Sequence, residues 1–270
     1  MTLQQDESTP QLRGVLDEKQ FLNYAKIRQI EPADALSDCV AFHWFITWDI
    51  PVGTHYCQSN LPHPTCHLVL DPQKTSGLFG CTTGRFDYNI TGSGIVLGTK
   101  FHPGGASAFV REPLTHLSDT EQPLDVIFGS RGQELPRALA EERHAEEILS
   151  RLTPLLLEIK QPLNEDAILA RRLVEKIESD GTLVRVTDLA DEAGLNIRKL
   201  QRLFFDKIGV SPKWVIDRYR MFDALDAMKS DDSVDLADLA HRLAYTDQAH
   251  FSARFKALTG DSPGSYANRQ

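Results

Sequence analysis

Arg198, Gln201 and Arg202 recur at i, i+3 and i+4, so on a helix they share one side and could act together on a single partner. Arginine can donate twice to the O6 and N7 of guanine, and glutamine can pair with the N6 and N7 of adenine, so the chemistry on offer is hydrogen bonding to base-pair edges. Lys199 lies beside the set, and Phe205 continues it at i+7. Opposite them Leu200, Leu203, Phe204 and Ile208 form an apolar stripe suited to a core. About fifty residues later the design returns. Phe251, Phe255 and Leu258 supply the stripe there, which leaves Asp247, Gln248, Ala249, His250, Ala253 and Arg254 outside. The alanines would suit thymine methyl groups or a close backbone approach.

The elements needed to present these rows are legible around them. A shorter helical stretch precedes each one, at Val186–Asn196 and at Leu236–Thr246, which gives two helix-turn-helix patterns. Asn196 and Thr246 are residue types whose side-chain oxygens cap helix N-termini, and Gly194 suits a turn with positive φ. Between the units, Ser211-Pro212 reads as an N-cap followed by proline at the first helical position. A helix from there to about Lys229 would be roughly 27 Å long, and with its flanking turns would approach one duplex repeat of ~34 Å. The expectation is two reading helices on one face of DNA.

From about residue 166 to the end, the sequence resembles the DNA-binding domain of AraC/XylS-type transcriptional regulators. The resemblance is carried by Leu189-Ala190 through Gly194, Leu200-Gln201-Arg202-Leu203-Phe204, Gly209-Val210-Ser211-Pro212, Asp247-Gln248-Ala249-His250-Phe251, Phe255-Lys256, Thr259-Gly260, Pro263 and Tyr266. It implies that Arg198, Gln201 and Arg202, with Lys199 beside them, meet bases or adjacent phosphates in the first unit. It implies the same for Asp247, Gln248, Ala249 and His250 in the second, with Arg254 near. Two positions depart from the family pattern. Ala253 stands where an arginine is common, with Arg254 rotated by about 100° from it. Ala244 stands where the turn usually has glycine, which would cost on the order of 1 kcal/mol if that residue is left-handed.

Net charge alone would argue against a polyanionic partner, at −9 from 29 basic and 38 acidic residues. Its distribution does not. Residues 198–220 hold seven basic side chains (Arg198, Lys199, Arg202, Lys207, Lys213, Arg218 and Arg220) against Asp206 and Asp217, a local excess of +5. Non-specific affinity should therefore be modest and strongly salt dependent.

The N-terminal half reads differently. Segments Ala41–Trp48, His67–Leu70, Gly77–Thr82, Phe86–Ile90 and Gly94–Phe101 are short, rich in aromatic and β-branched residues, and broken by Gly, Pro, Asn and Asp. They predict a small barrel or sandwich, and the fold class is α+β in two domains. The stretch from Gly98 through Pro103-Gly104-Gly105-Ala106 to Phe109, turning from strand to helix, resembles the cupin-like effector domains that precede some AraC-type reader domains. Leu135, Leu139, Ile148, Leu149, Leu152, Leu156 and Ile159 have helical spacing and would face a core or a partner, and Pro162 marks a boundary. The expected division is 1–130 for a β-rich sensor, 131–165 for a helical linker or dimerisation region, and 166–270 for the reader.

A second class of function is a metal-binding sensor or enzyme domain fused to the reader, because His55, His63, His67 and His102 fall in the cupin-like region. Against it, His63 and His67 flank Pro64-Thr65-Cys66 instead of alternating along a strand, and no carboxylate completes a ligand pattern. No phosphate loop or nucleophile elbow is present, so neither catalysis nor a cofactor is expected. Met1–Arg13 is polar, no apolar run approaches the ~18 residues of a membrane span, and the four cysteines lack paired spacing; a cytoplasmic protein with reduced thiols is expected. The implied partners are double-stranded promoter DNA, a small-molecule effector and a second copy in a homodimer, with RNA polymerase as a further candidate.

Overall fold

A computed structural model of the chain describes residues 12–230 and 234–269; the start of the polar N-terminal stretch lies outside the described residues. Helix α1 (Glu18–Tyr24) is capped by Asp17, which accepts from the Gln20 amide, and runs straight into β1 (Ala25–Ile30). Strands β2 (Val40–Asp49), β3 (Tyr56–Asn60), β4 (His67–Leu70), β5 (Gly77–Phe79), β6 (Phe86–Ile90), β7 (Ser93–Phe101) and β8 (Glu121–Pro123) follow. The six-stranded antiparallel sheet has the order β1-β2-β7-β4-β5-β8, and β3 pairs with β6 in a second sheet.

The expected barrel is therefore not closed by hydrogen bonding among the described residues. Closure would require β1 to meet β8, but β8 is three residues long and includes Pro123, which has no amide to donate. The predicted helix after Pro103 is only a 3-10 turn, Gly105–Ala108. Side-chain alternation along β2 divides the sheet. Phe45 faces a core shared with Leu68, Leu70 and Leu97, whereas Trp48 faces the two-stranded sheet with Tyr56 and Ile90. Trp44 and Trp48 lie opposite Gly98 and Gly94 on β7, and a Cβ on either glycine would come within 2.0 Å of the facing indole. The glycines make room for the rings, which cover the strand in return.

Helices α2 (Leu124–Phe128), α3 (Ser130–Glu142) and α4 (Ala145–Ile159) pack on this sheet. Leu135, Leu139, Ile148, Leu149, Leu152 and Leu156, which could have faced a core or a partner, are buried in the sheet-and-helix core. Among the described residues seven helices follow: α5 (Glu165–Ser179), α6 (Val186–Glu192), α7 (Ile197–Lys207), α8 (Pro212–Ser230), α9 (Leu236–Arg242), α10 (Gln248–Thr259) and α11 (Pro263–Ala267). They share one core, which Leu16, Leu61 and Cys81 of the sheet-rich region also enter. All four cysteines are free, and burial pushes the Cys39 and Cys66 thiols up to about 12. Among the described residues no helix is long and apolar enough to cross a membrane.

Candidate nucleic-acid interface

Two helical pairs, α6–α7 and α9–α10, are built on the same backbone plan. In the first turn Gly194 N–H donates to Asp191 O and Leu195 N–H to Ala190 O; fifty positions on, Ala244 donates to His241 O and Tyr245 to Ala240 O. The turn needs a left-handed residue, and both units supply one, Gly194 at φ 63° and Ala244 at φ 54°. The sequence departure at Ala244 is thus accommodated without re-forming the turn.

Beyond the turn the units diverge by one residue. Asn196 caps α7, its Oδ1 accepting from the Lys199 amide at 2.9 Å, as expected. In the second unit the cap is Asp247, which accepts from the His250 amide at 2.7 Å, and not Thr246. Thr246 lengthens the second loop, so equivalent helical positions are 51 apart. Leu200 then matches Phe251 and Phe204 matches Phe255, and all four are buried.

That register places the site residues. Arg198, Lys199, Gln201 and Arg202 are exposed, on the side away from buried Leu200, Leu203 and Phe204, and their side chains make no hydrogen bond or ion pair with another described residue. Phe205, 40% exposed, extends the row. Their counterparts on α10 are Ala249, His250, Ser252 and Ala253. Gln248, Ala249 and His250 are exposed, with the His250 ring edge-on to Tyr245 at 5.5 Å. Asp247 spends its carboxylate on the cap. Arg254 matches the buried Leu203 position, so it points along the flank toward Asp217 of α8, 3.9 Å away, rather than out with Gln248. The second face therefore offers fewer donors than the first.

Sequence reasoning missed a basic cleft of about 330 Å³ where α8 meets α10, lined by Lys213, Asp217, Arg220, Tyr245, His250 and Arg254. Asp217 accepts from Lys213 at 2.7 Å and Arg220 at 3.2 Å, and Arg220 also donates to Leu243 O and stacks on Tyr245. The spacing Lys213-x3-Asp217 was its only signal. The +5 local charge counted in the sequence is also smaller at the surface, because Arg218 and Arg220 are 2% and 8% exposed.

Two of the four histidines considered for a metal have other partners. His63 stacks on Phe222 at 4.5 Å and donates to Arg13 O, and His67 accepts from the Trp44 indole at 3.2 Å. His55 is exposed and His102 half-buried. Among the described residues no three His, Cys, Asp or Glu side chains converge as a metal site would require.

Two family models match separate parts of the chain. Residues 28–123 match a domain of unknown function (DUF6597), and residues 189–269 match a helix-turn-helix domain family. The HTH-type transcriptional activator RhaS of Pectobacterium atrosepticum is 32% identical over 78 residues, which is 28% of this chain and 27% of that protein's length. Among solved structures, the C-terminal domain of the response regulator AraT from Geobacillus stearothermophilus is similar at 22% identity and a TM-score of 0.36, covering 40% of this chain and 89% of that one. ToxT from Vibrio cholerae is similar at 12% identity and a TM-score of 0.38, covering 91% and 96%. Residues 189–269 therefore form a helix-turn-helix domain, and the chain spans about a quarter of the length of the curated relative it matches.

Proposed function

We propose that the chain is a sequence-specific transcriptional regulator that reads promoter DNA with α7 and α10 and responds to a small molecule through its N-terminal half. The observation that carries this is the row Arg198, Lys199, Gln201 and Arg202: exposed, unpaired and mounted on a helix whose opposite side is fully buried. Side chains with that many unused donors, on a rigid support, are preorganised for base edges and phosphates. The 19-residue α8, about 28 Å long, sets the two reading helices apart on the scale of one duplex repeat.

The division proposed is a sensor over residues 1–130 with a cupin-like arrangement of its two sheets, helices over 131–165, and a reader over 166–270. Such a protein works in the cytoplasm as a homodimer and acts by binding, not catalysis. Effector binding would change the pose of the readers, and with it the half-sites occupied and any contact with RNA polymerase. Selection of duplexes by the full chain from a random-sequence pool, followed by anisotropy titration at several salt concentrations, tests the core of this function. Enrichment of one motif, with affinity falling steeply as salt rises, is expected; equal affinity for selected and scrambled duplexes would defeat it.

A further inference from the structure

Both reading helices end on a glycine in the left-handed region, and one patch of the N-terminal half holds both ends. Gly209 (φ 99°) follows α7, and its carbonyl accepts from Ser118 Oγ at 2.6 Å. Gly260 (φ 88°) closes α10, and the carbonyl just before it, of Thr259, accepts from Arg85 Nη1 at 3.0 Å. A side chain at Gly209 would crowd backbone, and one at Gly260 would displace the Arg85 guanidinium. A Cβ on Gly209 would lie 2.9 Å from Ser118 Oγ and 3.0 Å from Leu114 O, and one on Gly260 would lie 2.2 Å from Arg85 Nη1. Between these points Arg218 of α8 donates to Thr83 O at 2.7 Å.

The patch is itself tied together. Thr83 and Arg85 precede β6, and Ser118 precedes β8. Asp119 joins the two loops by accepting from the Thr83 amide at 2.7 Å and its hydroxyl at 2.6 Å, although this places Asp119 at φ 59°. Aspartate tolerates that region better than most residues, and the two bonds from Thr83 hold it there. Arg85 is aimed by Asp87, which accepts from its Nε and Nη2 at 3.1 and 2.8 Å and is anchored in turn by Ser59 Oγ at 2.6 Å. The cation also sits at the negative end of the α10 dipole.

We propose that these two loops are a brace that sets the relative pose of α7 and α10, so that Arg85 and Ser118 are positioning residues for the sub-site spacing that the chain accepts. α8 connects the two units along a single line, and contacts off that line resist rotation of one unit against the other. Ser118 and Arg85 provide one such contact to each unit, at equivalent glycine ends. The brace rests on the DNA-binding function proposed above and adds to it a second, non-helical determinant of spacing.

The test uses the full chain and a duplex that it selects from a random-sequence pool, together with derivatives carrying one, two or three extra base pairs between the two protected sub-sites. Unmodified protein is expected to lose affinity about tenfold or more on insertion. Arg85→Ala and Ser118→Ala, each bound to a duplex holding only the first sub-site, should match the unmodified chain, yet should show a flattened penalty on insertion. Arg85→Lys, which keeps a cation at the α10 end, should retain most of the penalty. Should one variant unfold, the other carries the test, because the two contacts lie on different loops. Parallel spacing profiles in all variants overturn the brace. A pool that yields no enriched sequence defeats the DNA-binding function instead, so the two failures are distinct.

Discussion

Arg218 donates to the backbone carbonyl of Thr83 at 2.7 Å while only 2% exposed, and its second terminal nitrogen, Nη1, has no partner among the described residues. Among the described residues no carboxylate pairs with it, and burial lowers its pKa to about 10. Arg13 makes the opposite arrangement across the same interface. Its guanidinium bonds Asp223 at 2.6 Å and Asp226 at 2.8 Å, approaches Glu178 at 3.4 Å, and lies 5.3 Å from the Phe222 ring centroid.

Removing the two charges should therefore act in opposite directions. Arg218→Met deletes an unsatisfied donor and an uncompensated buried charge, which outweighs the loss of the guanidinium's contact with the Trp214 ring at 4.5 Å, so the melting temperature should hold or rise. Arg13→Met leaves two half-exposed carboxylates side by side and should cost about 1–2 kcal/mol, discounted for their access to water. Urea unfolding of both variants at one pH decides it; a larger loss for Arg218→Met would refute the assignment.

Within the first reading row the residues should separate by type. Arg202→Ala should cost about 1–3 kcal/mol on selected DNA and little on scrambled DNA. Lys199→Ala should weaken both alike and lower the salt slope by about 1. Equal losses on both duplexes for Arg202→Ala would make it a phosphate contact. On α10, where Ala249 and Ala253 occupy the positions of Arg198 and Arg202, Gln248→Ala should cost less than Arg202→Ala.

How much of this was written in the sequence follows from the range of the forces involved. Asn196, Gly194 and Ser211 act through bonds to residues three positions away, and the start of α7 and both ends of α8 came out within a residue of expectation. Thr246 failed because Asp247 beside it is an equally good cap, and only tertiary placement of Phe251 and Phe255 chooses between them. Strands β4 and β6 matched their apolar runs, whereas β1 and β3 were missed: Lys26, Arg28 and Gln29 hide an edge strand, and Cys57 to Asn60 lack an alternating apolar pattern. Sheet closure, the burial of Arg218 and Arg220, and the contacts at Gly209 and Gly260 depend on partners more than 20 residues away. Periodicity carries no information about those.

Ala244 at φ 54° offers a direct stability gain. An L-residue there sets Cβ against its own carbonyl, a cost glycine does not bear, and Ala244 is exposed, so no packing is lost with its methyl group. Ala244→Gly should stabilise the fold by about 1 kcal/mol, less what the more flexible unfolded chain gains. Gly194→Ala, the reciprocal change at φ 63°, should destabilise by a similar amount. Thermal melts of both variants should move in opposite directions, and a common direction would mean the two turns are not equivalent.

Beside His63 and His67, whose pKa values burial also lowers, His43 should be one source of acid sensitivity. Its ring is 1% exposed, its Nδ1 lies 2.8 Å from Thr99 Oγ1, and burial lowers its pKa to about 4 from an ordinary 6.5. Between those values the unfolded chain binds a proton that the folded chain does not, so stability is fully present above pH 6.5 and declines as pH falls toward 4. One such group contributes a slope of about 1.4 kcal/mol per pH unit. His43→Leu, whatever its stability at neutral pH, should remove that slope from urea-derived unfolding free energies measured between pH 6.5 and 4.5. The remaining slope belongs to His63 and to His67, whose pKa burial lowers to about 3, and a slope unchanged by His43→Leu would show that His43 does not take up a proton on unfolding.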